Sequence, residues 1–332
     1  MRPEVLAGGA GERPDVSVVV PAKDEAASLQ LLAERVRAVL DAEGLSWELV
    51  VVDDGSTDGS DRLLGELARD PRIRPRALAG NHGKSAALAC GLDAARGAYV
   101  VLMDADLQDL PEEMPALLAP LRDGRLDLTQ GWRTDRQDTA FKRVASKVFN
   151  GLCTAASGLR VHDVNCGYKA MTRAVARRLR LSRGMHRFLP VLAWRMGFRV
   201  GEVPVRHAHR AFGRSRYGTL RYFRGLNDLF SVVLLPRILG HVSPLLAPAG
   251  LLSLAGAALC VAALVAQLAM GRAGALWETG LSALALGSVG VLCLALGTLE
   301  RLGAALEQAD QARIWTEREL PAPSGRDEAA EG

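Results

Sequence analysis

Apolar and polar positions along the first hundred residues fall into blocks, and the period changes from block to block. "DVSVVVPA" (residues 15–22) is a compact apolar run that predicts a buried strand, and "KDEAASLQLLAERVRAVLDAEG" after it carries apolar residues at helical spacing. "WELVVVDDGSTDGS" (47–60) repeats the plan with a strand and an acidic turn, and "DRLLGELARD" supplies the helix. "KSAALACGLDAA" predicts another helix and "AYVVLMDAD" a third strand. This alternation predicts an α/β fold, an open and mostly parallel sheet flanked by helices. Such sheets bind ligands at the carboxyl ends of their strands.

The last third follows a different rule. "LLAPAGLLSLAGAALCVAALVAQLAM" (245–270) has no charge, and "TGLSALALGSVGVLCLALGTL" (279–299) is a second such run. Each is long enough to cross a hydrocarbon core of ~30 Å as a helix. Buried helices of a soluble protein are the alternative, but helices of that kind show a polar face and these runs do not. The short link "GRAGALWE" predicts a transmembrane hairpin over 242–300. Arg221, Arg224 and Arg237 precede it, Arg301, Arg313 and Arg318 follow it, and only Arg272 lies between. The positive-inside rule then places both flanks, and so both termini, on the cytoplasmic side of the inner membrane. "LRYFRGLNDLFSVVLLPRIL" mixes arginines, aromatics and aliphatics, which predicts an interfacial amphipathic helix within 219–241. Residues 301–332 are left as a cytoplasmic tail.

Composition narrows this picture only slightly. A net charge of +4 over 332 residues does not point to nucleic acid. Five cysteines without a CxxC pair fit reduced thiols in a cytosol-facing protein. The opening "MRPEVLAGGAGERPD" lacks the apolar core of a signal peptide, so residues 1–14 are expected to be a flexible tail ahead of a catalytic domain spanning 15–218.

The chemistry is expected where strands end. In "VLMDADLQD" (101–109), Asp104, Asp106 and Gln108 alternate, so in extended backbone they face one way. Neighbouring carboxylates repel unless a cation or proton joins them. Either they face water or they hold a metal. Asp24 with Glu25, Asp53 with Asp54, and Asp104 with Asp106 all follow predicted strands. The fold would gather these pairs on one edge, which marks a site.

"VVVPAKDEAASL", "VVVDDGSTDGS", "NHGKSAALACGL" and "MDADLQDLPE" resemble the successive motifs of family 2 glycosyltransferases with the GT-A fold. Within that family the chain resembles the polyprenyl-phosphate glycosyltransferases, which include dolichol-phosphate mannose synthases. The resemblance continues through "DVNCGYKAMTR", "MHRFLPVLAWRMGFRVGEVPVRH" and "HRAFGRSRYG" and covers nearly everything but the tails. Ala22-Lys23-Asp24-Glu25 departs from the family pattern of an aromatic followed by Asn-Glu.

The resemblance implies an inverting enzyme that moves one sugar from a GDP- or UDP-linked donor to a membrane polyprenyl phosphate. Asp106 and Gln108 would be metal ligands for Mg²⁺ or Mn²⁺, with Asp104 touching ribose or the metal shell. Pro21, Ala22, Asp24, Glu25, Asp53, Asp54, Lys84, Asp104 and Ala105 would surround the nucleotide sugar. Arg133, Arg143, Ser146, Arg210 and Arg216 would hold the acceptor phosphate or the nucleotide. Asp163 would act as a catalytic carboxylate, orient the sugar or cap a turn, and His186 and Arg187 are candidates near the sugar. Two other readings stay open. A processive polysaccharide synthase usually has more membrane helices and a Gln-x-x-Arg-Trp motif, and a catalytically inactive membrane scaffold would have no reason to keep repelling carboxylates together. The donor sugar and any homo-oligomer are not legible.

Overall fold

The computed structural model describes residues 13–134, 149–155, 157–181, 184–208, 235–270 and 276–310. The chain divides into two compact units, Phe230–Ala312 and the remainder.

In the larger unit β1 (Val16–Ala22), α1 (Ala26–Ala42), β2 (Trp47–Asp53), α2 (Ser60–Leu67), β3 (Ile73–Ala77), α3 (Lys84–Ala94) and β4 (Tyr99–Leu102) follow in order. Then come α4 (Met114–Arg122), β5 (Leu128–Arg133), β6 (Lys169–Thr172), α5 (Arg173–Arg178), α6 (Leu189–Arg195) and β7 (Val200–Val205). The seven strands form one sheet in the order β3-β2-β1-β4-β6-β5-β7. β6 runs antiparallel to both its neighbours, and the other pairings are parallel. The carboxyl ends of six strands and the amino end of β6 therefore share one edge. Strand order reverses beside β1, between β2 and β4, and such a switch point is where open α/β sheets leave a crevice.

Both faces of the sheet are covered, which is why β1 and β2 are continuous apolar runs instead of alternating ones. Val18, Val20, Leu49 and Val51 pack with Leu32, Val36 and Leu40 of α1, Leu64 of α2 and Leu117 of α4. Val19, Val50, Val52 and Leu102 pack on the opposite side with Leu88 of α3, Val175 of α5 and Leu189 of α6.

Four details differ from the sequence reading. β3, "IRPRA", is a strand that the pattern did not signal, because arginines and a proline break its apolar run on the sheet's outer edge. β6 reverses direction in an otherwise parallel sheet. The first helix begins at Ala26, three residues late, since Asp24 takes a positive φ of 52° and bonds into the neighbouring loop. The chain leaves extended backbone after Leu102, and Leu107 has φ 61°, so Asp104, Asp106 and Gln108 lie on a turn and not on an alternating strand.

The smaller unit holds two 35-residue helices, α7 (Leu235–Ala269) and α8 (Leu276–Asp310). Pro248–Ala269 and Leu276–Thr298 are each long and apolar enough to cross a membrane, at 22 and 23 residues. Nearly all of their surface is open, Leu252 and Leu284 being 76% and 70% exposed. That separates them from core helices of a soluble protein. Leu235–Gly240, expected in a separate surface helix, continues into α7, with Pro236 in the first turn where a missing N–H costs little.

Candidate active site

The three acidic turns meet on the carboxyl edge, and each has a different job. Asp53 ends β2 fully buried, and its Oδ1 accepts the Ser56 N–H at 2.9 Å. Asp54 accepts the N–H groups of His82 (2.7 Å) and Gly83 (2.9 Å). Burial pushes its carboxyl up, against those bonds. It pins the loop that leads into α3 and so sets the position of Lys84. Asp24 accepts the Thr57 N–H at 2.6 Å and donates its own N–H to Ser56 Oγ at 2.8 Å. Lys23 Nζ donates to the Gly55 carbonyl. The Glu25 N–H reaches Ser60 Oγ at 3.3 Å. The first two turns are thus laced together, and Pro21 and Ala22 at the end of β1 stand beside Val52 and Asp53 in the register.

The turn after β4 is the centre of the edge. Asp104 forms an ion pair with Lys84 Nζ. Burial raises the Asp104 carboxyl, but the Lys84 ammonium outweighs this and holds it below the usual carboxylate range. Ala105 and Asp106 are buried, and Asp106 Oδ1 accepts the Gln108 N–H at 3.1 Å. Gln108 bonds forward as well: its carbonyl accepts the Ala208 N–H at 3.0 Å and its Nε2 donates to the Ala208 carbonyl at 3.5 Å. Asp109 accepts the Asp104 N–H at 3.2 Å and lies 3.6 Å from His207 Nδ1. A Cβ on Gly167 would lie 3.1 Å from Asp104 Oδ2, so a larger residue there would press on the Asp104 carboxylate.

No cluster of three His, Cys, Asp or Glu side chains able to hold a metal occurs among the described residues. A hard divalent cation takes oxygen ligands and is commonly held by one or two carboxylates together with a ligand's phosphates. Asp104 and Asp106, two residues apart on one turn and both oxygen donors, fit that chemistry.

The 162–168 turn joins this centre to Arg133. The Arg133 guanidinium donates from Nε to Asp163 Oδ2 (2.7 Å) and from Nη2 to Asp163 Oδ1 (3.0 Å). Burial would lower the Arg133 pKa, but Asp163 raises it well above its ordinary value. Both Asp163 carboxylate oxygens thus accept from Arg133. Gln130 Nε2 donates to the Asp163 carbonyl at 2.5 Å, and Lys169 Nζ to that of Cys166. Burial pushes Lys169 down to about 8.

The sequence reading passed over Lys169, Gln130, Asp109 and Ser85. The one available signal was polar residues within runs that are otherwise apolar, as in "TQGW" and "GYKAM". Among the expected phosphate ligands, Arg143, Ser146, Arg210 and Arg216 lie outside the described residues.

Comparison with known proteins assigns this arrangement. Residues 17–180 match the family described as glycosyl transferase family 2. The chain is 37% identical over 232 residues to dodecaprenyl-phosphate galacturonate synthase of Rhizobium johnstonii, covering 67% of this chain and 68% of that one. It is 35% identical over 242 residues to undecaprenyl-phosphate 4-deoxy-4-formamido-L-arabinose transferase of Pectobacterium carotovorum, covering 72% and 74%. Among solved structures, glucosyl-3-phosphoglycerate synthase from Mycobacterium tuberculosis, in complex with Mn²⁺, UDP and glucosyl-3-phosphoglycerate, has the same fold. Its TM-score is 0.52 at 23% identity, over 66% of this chain and 79% of that one. With the motif residues gathered on one sheet edge and relatives matched over two thirds of their length, the chain belongs to glycosyl transferase family 2.

Proposed function

We propose that this chain is an inverting glycosyltransferase that moves one sugar from a nucleotide-sugar donor to a polyprenyl phosphate, of the undecaprenyl or dolichyl kind, on the cytoplasmic leaflet. The observation that carries this reading is the pairing on one edge of an anionic turn, Asp104 and Asp106 beside Lys84, with the partly buried guanidinium of Arg133. The first suits a nucleotide diphosphate and the second a phosphate acceptor. Two apolar helices suit an acceptor whose tail stays in a bilayer. The matched relatives are named as transferases to dodecaprenyl and undecaprenyl phosphate, which supports the same acceptor class.

In this reading Asp53 and the laced turns at 22–25 and 53–57 hold the nucleoside. Lys84 would turn from Asp104 to a diphosphate oxygen, and Asp104, Asp106 and Gln108 would hold a divalent cation, Mg²⁺ or Mn²⁺. When bound, that cation would neutralise charge on the departing diphosphate. Arg133, oriented by Asp163, grips the acceptor phosphate. Arg210 follows Ala208 by two residues, and Ala208 is bonded to Gln108. We assign Arg210 to the same phosphates, together with Arg143, Ser146 and Arg216. A phosphate oxygen attacks the anomeric carbon, the bond from that carbon to the diphosphate breaks, and the nucleoside diphosphate departs. One displacement inverts the centre. No general base is required, because a phosphate monoester is already anionic near neutral pH, with a second pKa of about 6; positioning carries the rate.

The membrane hairpin would keep both termini cytoplasmic. The test is transfer of radiolabelled sugar from a panel of UDP- and GDP-sugars to undecaprenyl phosphate by the full chain. Label in a lipid product cleaved by mild acid is expected. Polymer instead would favour a processive synthase, and no product from any donor would favour a scaffold.

A further inference from the structure

β5 and β6 run antiparallel, and their register sets Gln130 opposite Lys169. Cross-strand partners share a face of the sheet, so these two buried polar side chains stand together. Both reach the turn that precedes β6. Gln130 Nε2 donates to the Asp163 carbonyl at 2.5 Å and lies 3.4 and 3.3 Å from the carbonyls of Val164 and Cys166. An amide oxygen there would face three carbonyl oxygens, so the NH₂ end takes that place. Lys169 Nζ donates to the Cys166 carbonyl as well. Two side chains thus clamp three carbonyls of one short turn. Stability alone gives little reason for this choice. Gln130 Oε1 is buried without a partner, and a buried ammonium is costly unless fully paired.

The clamped turn carries Asp163, whose carboxylate accepts from Nε and Nη2 of Arg133. A guanidinium has five N–H groups, and the three that remain on Arg133 have no hydrogen-bond partner among the described residues. Where those three point depends on Asp163, and the place of Asp163 depends on the clamp. Asp104 is held separately, its carboxylate by Lys84 and its N–H by Asp109. Resting on the assignment of Arg133 to the acceptor phosphate, we propose that Gln130 and Lys169 are positioning residues for the acceptor. They fix the 163–166 turn so that the open N–H groups of Arg133 meet the phosphate, and neither has to touch a substrate.

The experiment uses the full chain in detergent with Mg²⁺, the sugar nucleotide active in the panel above, and farnesyl phosphate as acceptor. Gln130→Leu keeps much of the volume and removes the donors. It is expected to lower kcat/KM toward farnesyl phosphate by about tenfold to a hundredfold, the range of one hydrogen bond to a charged group. Affinity for UDP or GDP alone should stay within about twofold, the scatter of an ordinary distant substitution. Arg133→Lys should lower kcat/KM by a similar factor. A Gln130 that serves only the fold would multiply the two losses in the double variant, whereas one that acts through Arg133 would not. Gln130→Leu/Arg133→Lys is therefore expected within about threefold of the worse single variant. Lys169→Arg, which keeps a donor for the carbonyl, should retain more activity than Lys169→Met. Losses that multiply, an equal fall in nucleotide affinity, or normal kinetics in Gln130→Leu beside an impaired Arg133→Lys would each overturn this proposal alone. If Gln130→Leu does not fold, Lys169→Met combined with Arg133→Lys decides by the same rule. Normal kinetics in Arg133→Lys, or a wild-type chain that transfers nothing, overturns the acceptor reading and this proposal together.

Discussion

Arg133 and Asp163 are joined by two parallel hydrogen bonds of 2.7 and 3.0 Å, with 15% and 3% of their side chains exposed. A pair this buried binds through two forks and leaves a costly charge if one member is removed. Asp163→Ala should therefore lower unfolding free energy by about 3–5 kcal/mol. The double variant Arg133→Met/Asp163→Leu should recover most of that stability and still not transfer sugar. Denaturant titration of the solubilised chain alongside transfer assays checks this. Recovery of activity with recovery of stability would show that Arg133 serves the fold alone.

The pairing also marks the limit of what the sequence disclosed. The acids at the ends of β1, β2 and β4 were legible, because strand–helix alternation brings strand ends to one edge whatever the loops do. Arg133 and Asp163 are 30 residues apart, and nothing in either motif says that they touch. Their contact depends on the β5–β6 register, Gln130 opposite Lys169, and on a turn that folds back over it. The same non-local origin hid Lys169 and Ser85. The alternation of Asp104, Asp106 and Gln108 misled for a local reason: pairing of β4 stops at Leu102, and the left-handed Leu107 swings the chain into a turn. Where function concentrates, regular backbone ended.

On that turn, Asp106→Asn should leave a folded protein with little turnover. Asn keeps an oxygen to accept the Gln108 N–H, so the turn survives while one anionic donor is lost. A fall in kcat on the order of 10²-fold or more, with an unchanged melting curve, is expected. Exhaustive chelation of divalent ions should have the same effect on the wild type. Activity that persists through both treatments would rule out the cation site assigned to Asp104 and Asp106.

At the opposite edge, Glu48 is a stability element. It is buried at the start of β2 and accepts from Ser17 Oγ (2.6 Å), Arg74 (2.8 Å), and the N–H and Nε of Arg96 (2.7 and 2.8 Å). Burial raises its carboxyl, but these donors together hold it below the ordinary value of 4.5. A carboxyl depressed on folding contributes stability above its unfolded pKa and loses it as pH falls through the folded pKa. Glu48→Gln should therefore cost stability at pH 7, and its difference from wild type should shrink steadily below about pH 4.5. Melting curves of both proteins between pH 7 and 3 test the sign. A gap that widens on acidification would mean that Glu48 is not held as the anion.

Gly250 and Gly290 let α7 and α8 approach almost backbone to backbone. A Cβ on Gly290 would lie 2.8 Å from Leu254 Cγ and 3.0 Å from the Gly250 carbonyl, and one on Gly250 would lie 3.1 Å from the Gly290 carbonyl. A leucine tip can rotate away, but a helical carbonyl cannot, so Gly290→Val must force the helices apart. Close approach of small residues is a main source of helix association in lipid, where no hydrophobic gain separates protein from tail. The Ser253 Oγ bond to the Leu286 carbonyl, 2.7 Å, should be lost with it. All the described donor ligands lie before residue 209, so nucleotide-sugar affinity should stay within about twofold of wild type in Gly290→Val, the scatter of an ordinary distant substitution. Transfer to undecaprenyl phosphate in liposomes should fall severalfold, with a smaller loss toward a short, water-soluble prenyl phosphate. A chain ending at Leu234, which removes both helices, should exaggerate that contrast. Equal losses toward the two acceptors would mean that the hairpin supports the catalytic fold, and undiminished transfer to the long-chain lipid would mean that paired helices are not what brings the acceptor to the site.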